Sequence, residues 1–327
     1  MKYPSTFSVH PIPDAEFANR IKEIHEKLEL YRESGFVDAF DGLKLRYHVF
    51  PVEKPLGTVV IIHGYTEFSI KYEEIIYYFL ENGYNCVIYD ARSHGYSESA
   101  VEDRRYNHVD DFLEYIKDLN TVMDKVVRPM SEGLDISLFC HSMGGAVGLW
   151  YLHDYQPADV KKIVLSSPLV VPKMSHNIPT FIVTTAIKRY AKKDGWKAPF
   201  PHTGHFNPNP DFTLSHDCSK ARFDHNLSLR ISDTNYQNSG CTNRWLWECV
   251  RVQKTIPKKK FLQGIPQKAL LMEAGLDNVV ITSVFPKVAR FLPNCQYSVY
   301  PTSRHSIYNS DDEVLTRYWN EIFEFLK

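Results

Sequence analysis

Short apolar runs alternate with helix-like segments along most of the chain. The run Thr58–Ile62 is almost entirely apolar, which is typical of a strand buried on both faces of a parallel sheet. Five further runs predict strands, at Asn85–Asp90, Asp135–Cys140, Lys162–Ser166, Gln267–Glu273 and Gln296–Tyr300. The segments around them predict helices, at Tyr72–Asn82, Val109–Val127, Met143–Tyr155, Ile281–Phe291 and Asp312–Leu326. This alternation indicates a doubly wound, mostly parallel α/β sheet.

The N-terminal segment and one long interruption depart from the alternation. An amphipathic helix is predicted over Ala15–Arg32, and alternating runs on either side of the Asp-Gly pair at 41–42 predict a β-hairpin at the sheet edge. Residues 168–264 are rich in Pro, Asn, His and Trp and contain no clear buried strand. We therefore predict a core domain of residues 1–167 and 265–327, with residues 168–264 inserted as a cap.

Composition and charge restrict the classes of function. The 327 residues are 43% hydrophobic, and 38 Lys and Arg balance 39 Asp and Glu to a net charge of -1. Such a chain has no general attraction to nucleic acid, so we expect no nucleic-acid partner. Residues 1–20 lack the apolar segment of a signal peptide, and no apolar run approaches the roughly 20 residues of a membrane span. The scattered cysteines favour a reducing compartment, and we expect a cytoplasmic protein.

A serine lies where a predicted strand turns into a predicted helix. Ser142 follows the strand Asp135–Cys140 and precedes the helix Met143–Tyr155. A strand–turn–helix with serine at the bend is the nucleophile elbow, whose tightness requires small residues two positions before and after the serine. Those residues are Cys140 and Gly144. Cys140 departs from the usual glycine, and we expect it to fit with some crowding.

A serine nucleophile needs a base, and the base needs an orienting carboxylate. In chains with this elbow the acid and the histidine follow the serine in that order, each after a later strand. Asp277 comes directly after the strand Gln267–Glu273, and Glu273 itself is the second candidate for the acid. His305 comes after the last predicted strand. The order predicts Ser142, Asp277 and His305 as nucleophile, acid and base.

Acyl transfer at a serine also needs two backbone amides that stabilise the developing negative charge. One is expected from Met143, the residue after the nucleophile, and the other from Tyr65 in the loop after the first buried strand. Three polar residues are expected to hydrogen-bond among themselves and brace the neighbouring loops: Glu67, Arg92 and His94. Direct contact of these three with substrate is the alternative.

Three blocks of the chain resemble the lysophospholipase and monoacylglycerol lipase branch of the α/β-hydrolases: His63–Tyr72, Tyr89–Ser97 and His141–Gly145. The segment Thr242–Leu246 and the C-terminal tail are similar to that branch as well. The resemblance implies an α/β-hydrolase fold and an ester hydrolase, with the residues named above as nucleophile, acid, base and oxyanion amides. Two positions depart from the family pattern, because Cys140 and Ser93 stand where glycine is usual.

The inserted residues 168–264 are expected to cover the strand ends and to shape the acyl pocket. Three tryptophans are predicted to line that pocket: Trp196, Trp245 and Trp247. An apolar stripe along a predicted helix at residues 181–190 could pack on the core or make transient contact with a lipid surface. A polar set in the insertion matches no standard zinc spacing: His202, His205, His216, Asp217 and Cys218. The expected chemistry needs no metal and no organic cofactor.

The sequence therefore predicts a serine hydrolase that cleaves carboxylic esters through an acyl-enzyme on Ser142. The expected substrate is a monoacyl lipid, either a lysophospholipid or a monoacylglycerol, or a smaller ester. The alternatives on the same fold are a peptidase, a thioesterase, an acyltransferase and a non-catalytic binding scaffold. They stay open because the order of three residues does not by itself bring their side chains together.

Overall fold

A computed structural model describes residues 1–173, 180–201 and 203–327, and these contain one eight-stranded sheet. Its strands are β1 (Glu33–Asp38), β2 (Lys44–Phe50), β3 (Gly57–Ile62), β4 (Tyr84–Tyr89), β5 (Ile136–His141), β6 (Val160–Ser166), β7 (Lys268–Ala274) and β8 (Cys295–Tyr300). Their order in the sheet is β1-β2-β4-β3-β5-β6-β7-β8. The pairs β1–β2 and β2–β4 are antiparallel and the other pairs are parallel. The edge hairpin and the mostly parallel sheet are confirmed.

The described helices lie on both faces of the sheet and beyond its strand ends. They are α1 (Asp14–Glu29), α2 (Glu73–Glu81), α3 (Leu113–Val122), α4 (Arg128–Ser131), α5 (Met143–Tyr155), α6 (Thr180–Asp194), α7 (Lys220–Ser232), α8 (Asn243–Val252), α9 (Lys259–Leu262), α10 (Phe285–Phe291) and α11 (Asp312–Leu326). Every residue of β3, β4 and β5 is buried. These strands are apolar because helices cover both of their faces. In the described parts of the chain, no helix is both long enough and apolar enough to span a bilayer.

The helix predicted over Val109–Val127 is the one with the largest error. It begins only at Leu113, where the Asp111 carboxylate accepts the Leu113 amide hydrogen. It also continues past Pro129, although a proline normally ends a helix. The chain widens into a π-turn first, in which the Arg128 amide donates to the carbonyl of Met123, five residues back. Pro129 then lies in the first turn of α4, where its missing N–H is not needed.

The region 168–264 contributes mainly helices. The prediction of no buried strand there is wrong by two residues, because Gly240–Cys241 pairs in parallel with Tyr106–Asn107. Helix α9 rests on the core, where the Phe261 ring stacks on His153 of α5 at a centroid distance of 4.2 Å. At the other end of this region, the Leu169 amide donates to the carbonyl of Ser142, so both ends contact the part of the chain that holds the sheet.

Helix α7 is fixed to the N-terminal part of the chain by one arginine. The Arg222 side chain is 1% exposed and donates to both carboxylate oxygens of Glu74, at 2.6 and 3.0 Å. It also donates to the carbonyl of Ile12 at 2.8 Å and to Asp14 at 3.2 Å. A buried guanidinium with this many acceptors holds a single orientation. Helix α7 is therefore tied to α1 and α2 at its N-terminal end.

Candidate active site

The elbow serine lies in a strained turn between β5 and α5. Ser142 has φ 50° and ψ −116°, a conformation that residues with a side chain rarely adopt. Its amide donates to the carbonyl of Ser166 at 3.1 Å, and its carbonyl accepts from the Leu169 amide at 2.7 Å. A side chain at Gly144 would overlap the backbone of Ile62, which explains the small residue there. The neighbouring strands therefore hold Ser142 at the bend.

Cys140 fits where the family has glycine because the helix above it has a glycine of its own. The Cys140 side chain is 0% exposed, and a Cβ atom on Gly148 would lie 2.7 Å from its sulfur. Glycine in α5 thus leaves the space that the thiol occupies. Burial also raises the pKa of the Cys140 thiol well above its ordinary value. Cys140 is a packing residue under the elbow and not a second nucleophile.

The structure brings the three predicted side chains into one hydrogen-bonded line. His305 Nε2 lies 2.8 Å from Ser142 Oγ, and His305 Nδ1 lies 2.7 Å from Asp277 Oδ2. The other oxygen of Asp277 accepts the amide hydrogens of Val279 and Val280, at 2.8 and 2.9 Å. One carboxylate oxygen thus fixes the loop and the other fixes the imidazole.

The electrostatics of Asp277 favour one arrangement of protons. Burial raises the pKa of the Asp277 carboxyl, but the hydrogen bond and charge of His305 and the two loop amides outweigh it, so the pKa is lowered. An ionised Asp277 accepts the proton on His305 Nδ1, which leaves Nε2 free to accept from Ser142. The second candidate for the acid, Glu273, instead accepts from the hydroxyl of Tyr297.

The two predicted oxyanion amides belong to Tyr65, which lines the same cavity as Ser142, and to Met143, the residue after the serine. Met143 is the first residue of α5, and the first amides of a helix have no partner within the helix. In residues 1–173, 180–201 and 203–327, neither Met143 N–H nor Tyr65 N–H donates to a protein acceptor. An oxyanion hole requires two such unpaired amides, and the assignment of Tyr65 and Met143 to it stays a prediction.

Glu67 braces the loop that carries Tyr65. Its carboxylate accepts the Gly64 amide at 2.6 Å and the hydroxyls of Tyr72 and Tyr308 at 2.5 and 2.9 Å, and it pairs with Lys71. Burial opposes the charge, but Lys71 and the other donors keep the pKa of Glu67 well below its usual range. Glu67 thus braces a loop, but the predicted hydrogen bonds to Arg92 and His94 are wrong, because its partners among the described residues are Gly64, Lys71, Tyr72 and Tyr308.

Arg92 and His94 form only part of the hydrogen bonds expected among the three bracing residues. Arg92 forms a buried two-point contact with Asp118, at 2.6 and 2.7 Å, and not with Glu67. His94 meets Arg92 only through the backbone, since its Nδ1 lies 2.9 Å from the Arg92 carbonyl oxygen. Ser93, where glycine is usual, has φ 65°, and its hydroxyl donates to the His108 carbonyl at 3.0 Å. That hydrogen bond offsets part of the cost of a positive φ.

A cavity of about 420 Å³ opens beside Ser142. Its walls come from the loops around residues 64–71, 205–217 and 305–306 and from one face of α7. His205, His216 and Asp217 lie in this wall, and His202 is outside the described residues. The sequence missed the contribution of α7, although Phe223 and Leu227 one turn apart were a signal of an apolar face.

The predicted tryptophan lining is wrong for this cavity. Trp245 stacks behind the Tyr65 ring at 4.1 Å and donates from Nε1 to the Tyr115 hydroxyl at 2.9 Å. Trp196 and Trp247 pack edge to face at 5.8 Å and do not line the cavity. Tyr65 is in the cavity wall, whereas none of the three tryptophans is. Trp245 therefore packs against the ring of Tyr65 and does not line the cavity.

Known proteins match this chain over most of its length. The family described as "Serine aminopeptidase, S33" (Hydrolase_4) matches residues 53–312. The chain is 24% identical over 284 residues to a probable lysophospholipase L2 of Haemophilus influenzae, covering 87% of this chain and 88% of that protein. It is 22% identical over 318 residues to a monoglyceride lipase of Saccharomyces cerevisiae, covering 88% and 91%.

A solved structure has the same fold. A soluble variant of monoglyceride lipase from Saccharomyces cerevisiae, crystallised with a substrate analogue, matches with a TM-score of 0.73 at 20% identity, covering 91% of this chain and 95% of that one. The resemblance read from the three sequence blocks is thus confirmed. Because the family match spans well over half of its residues, the chain belongs to the Hydrolase_4 family of α/β-hydrolases.

Proposed function

We propose that the protein hydrolyses carboxylic esters of monoacyl lipids through an acyl-enzyme on Ser142. One observation carries this proposal: His305 bridges Ser142 and Asp277 at 2.8 and 2.7 Å at the edge of an open cavity. The lysophospholipase and monoglyceride lipase names of the relatives support the choice of substrate class.

In the first half of the reaction, Ser142 Oγ attacks the ester carbonyl while its proton moves to His305 Nε2. The carbonyl oxygen becomes an oxyanion that accepts hydrogen bonds from the amides of Tyr65 and Met143. Asp277 stabilises the imidazolium. When the C–O bond breaks, His305 gives the proton to the departing alcohol, and the acyl group stays on Ser142.

In the second half, water takes the place of the alcohol. His305 Nε2 accepts a proton from this water, whose oxygen attacks the acyl carbon and forms a second oxyanion in the same amide pair. Collapse of that intermediate breaks the bond to Ser142 Oγ, which regains a proton from His305. The fatty acid leaves and the enzyme returns to its starting state.

Peptidase activity is the second candidate, because the family description names an aminopeptidase. An aminopeptidase must bind the ammonium group of its substrate with a free carboxylate. Two carboxylates among the described residues line the cavity. Glu67 is engaged by Lys71 and two tyrosines, whereas Asp217 accepts from Asn309 at 2.8 Å through Oδ1 alone. Asp217 is thus the group that an ammonium would have to reach, and the lysophospholipase and monoglyceride lipase names of the relatives favour the ester.

The proposal is tested with a panel of matched substrates. We expect turnover of p-nitrophenyl esters, monooleoylglycerol and lysophospholipids, and none of aminoacyl p-nitroanilides above the background of a Ser142→Ala preparation. Faster cleavage of the anilides would favour the peptidase. Absence of both turnover and fluorophosphonate labelling in folded protein would favour the binding scaffold.

We further propose that residues 168–264 act as a cap and that α6 contacts the membrane surface. Phe181 and Ile182 at the start of α6 are 70% and 46% exposed, whereas Ile187 is fully buried and α6 packs on α8. Basic residues follow on the exposed side of the same helix: Lys188, Arg189, Lys192 and Lys193. Exposed apolar residues beside cations are typical of an interfacial helix.

The proposed membrane contact predicts that substitutions at the exposed start of α6 weaken binding to lipid vesicles. Replacing Phe181 and Ile182 with serine is expected to weaken binding to vesicles by about tenfold or more, because burial of each side chain in lipid contributes on the order of 1.5–3 kcal/mol. Co-sedimentation with vesicles containing anionic phospholipid measures the partition coefficient. Leu30→Ser is the matched control, since Leu30 is 69% exposed at the far end of α1. Equal binding of wild type and the double variant would contradict the proposal.

A further inference from the structure

One face of α7 forms a wall of the cavity beside Ser142. Phe223, Asn226, Leu227 and Arg230 are spaced three and four residues apart, and all four line the cavity. The first and third are apolar, whereas Arg230 brings a cation into the same space. The mechanism given above leaves this cation without a role.

Arg230 is held firmly but not by a carboxylate. Its Nε donates to the Tyr236 carbonyl at 3.0 Å and its Nη2 to the Asn238 carbonyl at 2.6 Å. The guanidinium lies over the Phe206 ring, 4.9 Å from the centroid. Among the described residues, no Asp or Glu pairs with Arg230, and Nη1 donates to no protein acceptor. Three groups thus fix the guanidinium, and Arg230 is one of the residues that line the cavity.

The surroundings leave this positive charge uncompensated. Burial lowers the pKa of Arg230, and the negative charge of Glu67 offsets only part of that effect. Glu67 is already paired with Lys71. A guanidinium nevertheless keeps its proton in proteins, so it remains a cation. A half-buried charge without a paired counter-ion is unfavourable, and an anion entering the cavity would relieve part of that cost.

We propose that Arg230 binds the phosphate of a lysophospholipid substrate and selects phosphorylated monoacyl lipids over neutral monoacylglycerols. The inference rests on the proposed ester hydrolysis and names the head group for the same cavity. The planar guanidinium fork matches phosphate oxygens in two-point hydrogen bonds. Arg222, two turns earlier, ties α7 to α1 and α2, so Arg230 is presented on an anchored helix.

The test compares two substrates with the same acyl chain, oleoyl-lysophosphatidylglycerol and monooleoylglycerol. In Arg230→Met, the ratio of their kcat/KM values is expected to fall by about 10- to 100-fold, mainly through KM, as expected for loss of a charged hydrogen bond. The ratio for Arg230→Lys should lie between those of wild type and Arg230→Met, because lysine keeps the positive charge but lacks the two-point geometry of the guanidinium. Arg290→Met is the matched control, an exposed arginine of α10 outside the cavity wall.

A second readout does not depend on lipid turnover. sn-Glycerol 3-phosphate is expected to slow fluorophosphonate labelling of Ser142 in wild type at concentrations about tenfold below those needed in Arg230→Met. Glycerol should protect both proteins equally and weakly. Inorganic phosphate tests whether any anion suffices: protection by inorganic phosphate equal to that by glycerol 3-phosphate would contradict recognition of a head group.

The outcomes separate this inference from the proposed function. An unchanged substrate ratio in Arg230→Met overturns the inference and leaves ester hydrolysis standing. Equal losses on both substrates, with a lower melting temperature, also overturn it, since Arg230 would then only support the segment at residues 236–238. If wild type hydrolyses neither lipid, the proposed function fails, and the labelling experiment still decides whether Arg230 binds a phosphate.

Discussion

Replacing Ser142 with alanine is expected to lower kcat for ester hydrolysis by about 10⁶-fold. The hydroxyl is the group that His305 contacts at 2.8 Å, and within the elbow no other nucleophile faces the cavity, because the Cys140 thiol is fully buried. His305→Ala should cost about as much, and the double variant little more, because nucleophile and base act as one unit. Steady-state kinetics on p-nitrophenyl butyrate and fluorophosphonate labelling both measure the loss.

The matched control for this prediction is a serine on β5, the strand that precedes Ser142. Ser137 is a buried serine of β5, before the elbow, and Ser137→Ala is expected to keep its labelling. Labelling that persists in Ser142→Ala would place the reactive serine elsewhere. Labelling lost in both variants would point to damage of β5 and not to loss of a nucleophile, and circular dichroism separates these outcomes.

The catalytic constellation could be predicted from sequence because parallel strands end at one edge. Ser142 follows β5, Asp277 follows β7 and His305 follows β8. The first two strands are marked by local apolar runs and the third by alternating polar and apolar residues, and each catalytic residue is the first suitable group beyond its strand. Local patterning and the rule of strand order therefore place the three side chains near one another, although 28 residues separate His305 from Asp277 and 163 separate it from Ser142.

The cavity wall could not be predicted in the same way. Trp245 has a residue type common in pockets, yet it stacks on Tyr65 and does not line the cavity. Arg230 lines the cavity on a helix that Arg222 ties to a distant segment of the chain. These positions depend on contacts between distant segments that carry no periodic signal. The same holds for Tyr308, whose hydrogen bond to Glu67 joins residues 241 apart in the chain.

Asp277→Asn is expected to lower kcat by about 10⁴-fold while Ser142 and His305 stay in place. An amide can donate a hydrogen bond where the carboxylate only accepts one. His305 Nδ1 would then accept from the side-chain amide at position 277, the imidazole proton would lie on Nε2 facing Ser142, and His305 would no longer act as a base. Kinetics on the same ester measure the effect. Glu273→Gln is the matched control, since Glu273 contacts Tyr297 and not the imidazole. A larger loss in Glu273→Gln would make Glu273 the acid.

The same substitution has a signature in stability against pH. The pKa of Asp277 in the folded protein lies below its ordinary value of 3.8, because His305 and two amides stabilise the charged form. The ionised carboxylate thus adds stability that is present above about pH 4 and is lost as the pH falls through the lowered pKa. As the pH falls from 5 through this lowered pKa, the free energy of unfolding, measured with urea, should therefore decrease more in wild type than in Asp277→Asn. Parallel pH profiles for the two proteins would mean that the 2.7 Å contact with His305 does not hold a charge on Asp277 in solution.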